Sequence, residues 1–246
     1  MSEPAIDLSV PAAAEVLNHG EMRIVGQFAN SSNYTFLAEL SLGDQKVQAV
    51  YKPVRGEYPL WDFPDHTLAK REAAAFVLSE WLGWHLVPTT VFRRSAPMGA
   101  GSLQVYIEHQ PEHHYFNFST DEIQVLRPIA LFDLIVNNAD RKGSHLFFDG
   151  GKRLWCIDHG LCFHRQDKLR TVIWDFMGES VPEALLADVA RAQAPLRRGG
   201  ELFTQLHPYL SIPEIQMLGR RIAAVMETPL FPQPPNDRRA FPYPPL

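Results

Sequence analysis

The sequence has only two cysteines, Cys156 and Cys162, among its 246 residues, so neither a disulfide framework nor a four-cysteine zinc site underlies the fold. It contains no uninterrupted apolar run approaching the length of a membrane span, and its opening residues lack the charged-then-apolar pattern of a secretory leader. A cytoplasmic protein with no transmembrane segment is expected. Positive charge is not in excess: 23 Lys and Arg against 28 Asp and Glu give a formal net charge of −5, which argues against general nucleic-acid binding. There is no H-E-x-x-H pattern. His109, Glu112, His113 and His114 cluster, but Pro111 breaks the helix that would align them, so they read as surface or connection residues. No internal repeat is present. With 46% hydrophobic and 21% charged residues, the chain suits one large domain or two small lobes with a sizeable core.

The chemistry is concentrated between Asn137 and Gly160. An apolar run, Ile129 to Val136, ends in a tight polar loop that holds Asp140, Arg141, Lys142 and His145. Two short β-type runs follow, Leu146 to Phe148 and Leu154 to Ile157, joined by Asp149-Gly150-Gly151, a hairpin signal. The second run delivers Asp158 into a turn closed by Gly160. A hairpin that begins just after one carboxylate and ends at another returns both to the same edge. Two carboxylates beside a lysine suit phosphoryl transfer: one accepts a hydroxyl proton, one holds a divalent ion on the phosphates, and a cation offsets developing charge.

This stretch resembles the catalytic and metal loops of the protein-kinase-like superfamily. The likeness is greatest to the phosphatidylinositol 3- and 4-kinase-like and HipA-type branches, whose pattern is N-x-D-R-x-x-x-N followed by I-D-x-G. Here it reads Asn138-Ala139-Asp140-Arg141, then Ile157-Asp158-His159-Gly160. It is most similar to a bacterial family assigned to the phosphatidylinositol kinase-like group, over roughly residues 20 to 228. The resemblance implies a bilobal α+β fold: an antiparallel-sheet, ATP-binding N-lobe over 20–110 and a mostly helical C-lobe over 111–228. An N-terminal extension, 1–19, and a Pro-rich tail, 229–246, flank them.

It also implies roles. Asp140 would be the catalytic base and Lys142 would neutralise the transferred phosphate. Asp158 would hold the metal with His145 or Asn138. His145 stands where the superfamily has a metal-binding Asn, and imidazole suits Mn²⁺ better than Mg²⁺, so ligation or water positioning with a preference for Mn²⁺ is expected. His159 replaces a Phe whose packing gates protein kinases, so that gating is not carried over.

The N-terminal half supplies the rest. Strand patterns run over Met22–Val25, Tyr34–Leu40 and Val47–Tyr51, the last ending at Lys52-Pro53. The Lys resembles the ATP-contacting lysine of the same branches. A helix is expected from Thr67 to Leu82, capped by Asp65 or Thr67, with Glu72 on its apolar stripe. A buried carboxylate needs a partner, and Lys52 is the candidate. The loop with Ser31 and Ser32, which lacks G-x-G-x-x-G, would cover the phosphates. Strands at Thr89–Arg93 and Leu103–Glu108 lead to Glu108–Pro111, which would read the adenine edge. Helices are expected over 120–136, 182–193, 200–206 and 212–227. Arg165, Lys168 and Arg170 would suit an anionic substrate, and the five tryptophans read as packing residues. The tail, with seven prolines from Pro229, should lie extended or be disordered. The function implied is ATP-dependent phosphotransfer to an unidentified hydroxyl acceptor, either an inositol-type small molecule or a protein Ser/Thr. The alternatives are a nucleotide-binding regulatory module without turnover and an AMP transferase.

Overall fold

A computed structural model describes residues 8–28 and 33–246. Five strands, β1 (Glu21–Gln27), β2 (Phe36–Leu42), β3 (Gln45–Pro53), β4 (Thr90–Arg93) and β5 (Gly101–Val105), form an antiparallel sheet in the order β1-β2-β3-β5-β4. Alternation along β3 sets the two faces. Val47, Ala49, Tyr51 and Pro53 are buried, while Lys46, Gln48, Val50 and Lys52 lie on the more open face. Helix α1 (Val10–His19) covers the buried face, with Val16 and Leu17 fully buried in a core that includes Leu40, Tyr51 and Leu103. The segment before the first strand is therefore packed into this lobe.

Helix α2 (Leu68–Leu82) supports the sheet near Lys52. Its alanines (Ala69, Ala73, Ala74, Ala75) are all buried, and Gly83 ends it at φ 73°, a conformation glycine adopts without steric cost. Its start is not capped by Asp65 or Thr67. The Thr67 hydroxyl donates to the Pro64 carbonyl, and the Glu57 carboxylate accepts the N–H groups of Leu68 and Ala69. A charge on the open amides of a helix start is favourable wherever in the chain it comes from.

The second lobe contains α3 (Thr120–Gln124), α4 (Arg127–Val136), the hairpin β6 (Leu146–Phe148) and β7 (Leu154–Cys156), then α5 (Glu183–Ala192), α6 (Glu201–Leu206) and α7 (Ile212–Glu227). The helix expected over 120–136 is broken in two. Pro128 lies in the first turn of α4, where a missing N–H costs nothing, so the chain restarts there after a short helix capped by Ser119 and Glu122. The strand expected to reach Glu108 stops at Val105, and the chain crosses between lobes over 106–109. There the Tyr106 N–H meets the Gln48 carbonyl, and His109 bridges to Asp149 on the hairpin.

The tail is extended and pinned. Phe231 is buried against Phe176, Thr171 N–H donates to the Ala240 carbonyl, and Arg238 bonds Leu169 O and Asp167. Gly143 N–H reaches the Pro245 carbonyl at 2.8 Å, so the tail ends on the loop that holds Asp140. Among the described residues no helix is long and apolar enough to cross a membrane.

Candidate active site

Between the lobes, Lys52 Nζ lies 2.6 Å from Glu72 Oε1 and 3.2 Å from Asp158 Oδ1. Strand β3 supplies the lysine, α2 the glutamate, and the turn after β7 the aspartate. The other Glu72 oxygen accepts the His159 N–H at 2.8 Å, which fixes that turn to α2. Asp158 has φ 62°, an uncommon value for a side chain-bearing residue, and the surrounding contacts hold it there. Burial pushes the Glu72 carboxyl up, and Lys52 and the His159 N–H pull it back. Burial works against the Lys52 charge, but Asp158 and Glu72 together hold its ammonium well above its usual range, so the contact is an ion pair. Burial likewise opposes the Asp158 charge, and Lys52, by its charge and its hydrogen bond, keeps that carboxyl well below its ordinary value.

Asp140 follows Asn138-Ala139 at the end of α4. Its N–H donates to Asn138 Oδ1 at 3.0 Å, and Asn138 Nδ2 donates to Asp133 Oδ1 at 3.0 Å. Asn138 is wholly buried. Its amide shapes the loop that presents Asp140. Burial raises the Asp140 carboxyl to about 6; the Asp158 charge adds to this, while Lys142, Arg170 and Arg141 oppose it. Lys142 Nζ stands 3.7 Å from Asp140 Oδ2.

His145 is buried and pushed down to about 3 by desolvation and by the cations Arg141, Lys52 and Lys142, so its ring is neutral and carries one hydrogen. Nδ1 accepts the Lys142 N–H at 3.3 Å, which places that hydrogen on Nε2, 3.4 Å from Asp158 Oδ2. His145 therefore stands beside Asp158 as a neutral imidazole.

Below the cleft is a buried network that sequence reading missed. Arg141 donates through Nε and one terminal nitrogen to Asp133, through another to Ile157 O at 2.6 Å, and meets His159 Nε2 at 2.8 Å. Thr171 also donates to Asp133. Asp133 thus joins α4, the Asp140 loop, the Asp158 turn and the segment at 171. The available signal was a lone carboxylate inside the apolar run Ile129 to Val136, a position that requires a partner.

Other sequence-derived candidates separate. Ser31 and Ser32 lie outside the described residues. Glu108 is exposed on the interlobe connection. Lys168 is taken up by Asp62 at 2.8 Å and Arg165 is exposed, but Arg170 reaches the site: its Nε donates to Ala139 O, and its charge acts on Asp140. Trp61 is not a packing residue, being 93% exposed.

Among the described residues no cluster of three or more His, Cys, Asp or Glu forms an all-protein metal cage. The side chains fit a divalent ion of the kind carried in by phosphates, because Asp158 offers a half-exposed hard carboxylate and such ions often bind one or two carboxylates plus substrate oxygens.

No family model matches the chain. Its fold is similar to that of the Golgi casein kinase, also solved with Mn/ADP bound, at a TM-score of 0.59 and 16% identity over 89% of this chain and 74% of that one. It is similar to the Helicobacter pylori proinflammatory kinase CtkA at a TM-score of 0.54 and 11% identity, covering 87% of this chain and 94% of that one. These likenesses show a protein-kinase-like, bilobal fold. In sequence, the chain is 37% identical over 264 residues to protein Rv2133c of Mycobacterium tuberculosis (strain ATCC 25618 / H37Rv), covering 93% of this chain and 94% of that one. It belongs to the family of Rv2133c.

Proposed function

We propose that the chain is an ATP-dependent phosphotransferase acting on an alcohol. The observation that carries this reading is Lys52 held between Glu72 and Asp158 in the same cleft as a carboxylate, Asp140, tuned to about 6. Lys52 would contact the α and β phosphates, with Glu72 orienting it. Asp158 would hold Mg²⁺ or Mn²⁺, which when bound supplies charge neutralisation at the phosphates. Asp140 takes the proton of the acceptor hydroxyl as that oxygen bonds the γ-phosphorus. The bond to the β–γ bridging oxygen breaks, and ADP leaves. Lys142 and Arg170 flank Asp140 and offset charge on the transferred group.

The motif spacing favours a phosphatidylinositol kinase-like relationship and an inositol-type acceptor, while the casein kinase likeness favours a protein Ser/Thr. A second reading, nucleotide binding without turnover, is favoured by one observation: a buried imidazole, His145, stands 3.4 Å from Asp158 where the superfamily offers a metal-binding amide oxygen.

The first test is thermal stability with ATP, with Mg²⁺ or Mn²⁺, and with both. A ligand that binds only the folded state adds roughly 2.7 kcal/mol at a hundred times its dissociation constant, a shift easily read. ATP with metal is expected to raise the melting temperature by several degrees, and Asp158→Ala to remove the metal-dependent part. No stabilisation by ATP with either metal would end the proposal.

The pH dependence follows from Asp140. The base works deprotonated, so activity should rise with pH along a single acidic limb. Its midpoint should lie at or below pH 6, because a metal on Asp158 offsets the charge that helps raise Asp140. A pH–rate profile with no fall between pH 7 and 4.5 would show that another group takes the proton.

A further inference from the structure

Glu72 has a neighbour on α2 to which the phosphate chemistry gives no role. Arg71 is 1% exposed, although an arginine is seldom fully buried unless it is paired. Successive side chains on a helix point about 100° apart, so while Glu72 reaches Lys52 on the sheet, Arg71 reaches the second lobe. One terminal nitrogen donates to the Glu214 carboxylate in the first turn of α7, and the other donates to the Cys162 carbonyl at 2.7 Å. Glu214 is itself held, since its second oxygen accepts the Ser211 N–H at 2.8 Å and the Ser211 hydroxyl at 2.6 Å. Burial opposes the Glu214 charge, but Arg71 and Ser211 keep that carboxyl below its usual range. The Phe63 ring lies against the guanidinium, its centroid 5.1 Å from Arg71 Cζ.

Two successive side chains of α2 thus grip one short stretch of backbone after Asp158, Glu72 at the His159 N–H and Arg71 at the Cys162 carbonyl. Gly160, between them, runs so close to the helix that a β-carbon there would stand 3.5 Å from that of Leu68. Packing agrees with the hydrogen bonds. Ala74, Ala75, Leu78 and Leu82 share a core with Phe132, Ile135 and Leu206 of the second lobe, whereas the core under the sheet is closed by α1. Although α2 also lies against β4 and β5, both carboxylates that meet Lys52 are therefore carried by the second lobe.

We propose that Arg71 is a positioning residue of the cleft: it fastens α2 to the second lobe and so holds Glu72 in place beside Asp158, where Lys52 meets both. Its part in phosphotransfer rests on the reading of the cleft as an ATP site. Replacing a buried ion pair by well-packed apolar side chains is often neutral for stability, so stability alone does not account for this one.

The test compares wild type, Arg71→Lys and the double variant Arg71→Met with Glu214→Leu, each with and without Glu72→Gln. Two quantities are read: hydrogen exchange at the His159 amide, by NMR, and ATP turnover with Mn²⁺. The double variant is expected to melt within a few degrees of wild type and to exchange the His159 amide roughly tenfold faster, the net worth of one hydrogen bond. Its ATP turnover should fall about tenfold, the cost of a small misplacement at a reacting site. Arg71→Lys keeps the charge but loses the planar fork that reaches two partners at once, so it should move both quantities the same way by less. With Glu72→Gln present, neither Arg71 change should lower turnover by more than about twofold further, because the residue acts through Glu72. Unchanged His159 exchange in both Arg71 variants would mean that the ion pair only braces α7, and would overturn the proposal. So would a loss of turnover as large with Glu72→Gln as without it, since Arg71 would then act elsewhere. If the double variant does not fold, Arg71→Lys decides by the same two readings. A wild type that does not turn over ATP removes the phosphotransfer reading, and His159 exchange then decides by itself whether Arg71 positions Glu72.

Discussion

Asp140→Asn is expected to lower phosphotransfer roughly 10²–10⁴-fold while leaving the dissociation constant for ATP within about threefold of wild type, the range typical for loss of a positioned general base. The substitution keeps the size of the side chain and the loop contact, because it is the Asp140 backbone N–H that donates to Asn138. What it removes is a carboxylate that burial and a neighbouring charge have raised to about 6, high enough to accept a hydroxyl proton and low enough to be free to do so near neutrality. The variant should fold at least as stably as wild type, since a carboxylate held up by burial no longer has to be ionised in place. Rates with each acceptor and ATP binding by calorimetry, taken together, separate two cases. A variant retaining transfer within tenfold of wild type would show that Asp140 is not the base. A wild type that binds ATP with metal yet transfers to neither inositol-type nor protein acceptors would favour the non-turnover reading.

The parts of this site legible in sequence are those where two local rules collide. Glu72 on an apolar helical stripe demanded a cation, and Lys52 at a proline-ended strand supplied one, so the pair now seen at 2.6 Å was readable before any coordinates. The hairpin was readable because Asp149-Gly150-Gly151 is turn chemistry, and α7 spans the 212–227 expected of it, its start fixed by the reciprocal Ser211 and Glu214 cap. What was not legible depends on contacts distant in sequence. Glu57 caps α2 from outside the helix, and part of the tail's hold comes from carbonyls meeting N–H groups at Thr171 and Gly143, a contact that leaves no trace in side chains. Asn138 lies inside the motif, but which way its amide faces was decided by Asp133, a residue with no motif of its own. The exposure of Trp61 likewise had no local signal, since an aromatic residue in a proline-rich connection is read as packing by default.

Asp133→Ala is expected to be strongly destabilising. Asp133 and Arg141 both have no exposed side-chain surface, and Asp133 takes the Nε and a terminal nitrogen of Arg141 together with the Asn138 amide. Burial works against the guanidinium charge, and Asp133 is the partner that holds it. Removing the carboxylate leaves a buried cation with only the Ile157 carbonyl and the His159 ring, a loss of about 3–5 kcal/mol. For a chain of this size each kcal/mol moves the melting temperature by roughly 2–4 °C, so a fall of roughly 6–20 °C is expected in calorimetry. The double variant Asp133→Leu with Arg141→Met separates an ion pair kept for stability from one kept for shape, because a well-packed apolar replacement avoids the cost of an orphaned charge. It should regain much of the lost stability without regaining phosphotransfer. Arg141 ties the Asp140 loop to Ile157, next to Asp158, and Asp133 holds the amide that positions Asp140, so without them the two acids lose their common frame. A double variant that recovered full activity would show that packing alone sets the distance between the loops. A single Asp133→Ala variant as stable as wild type would mean that Arg141 finds another partner.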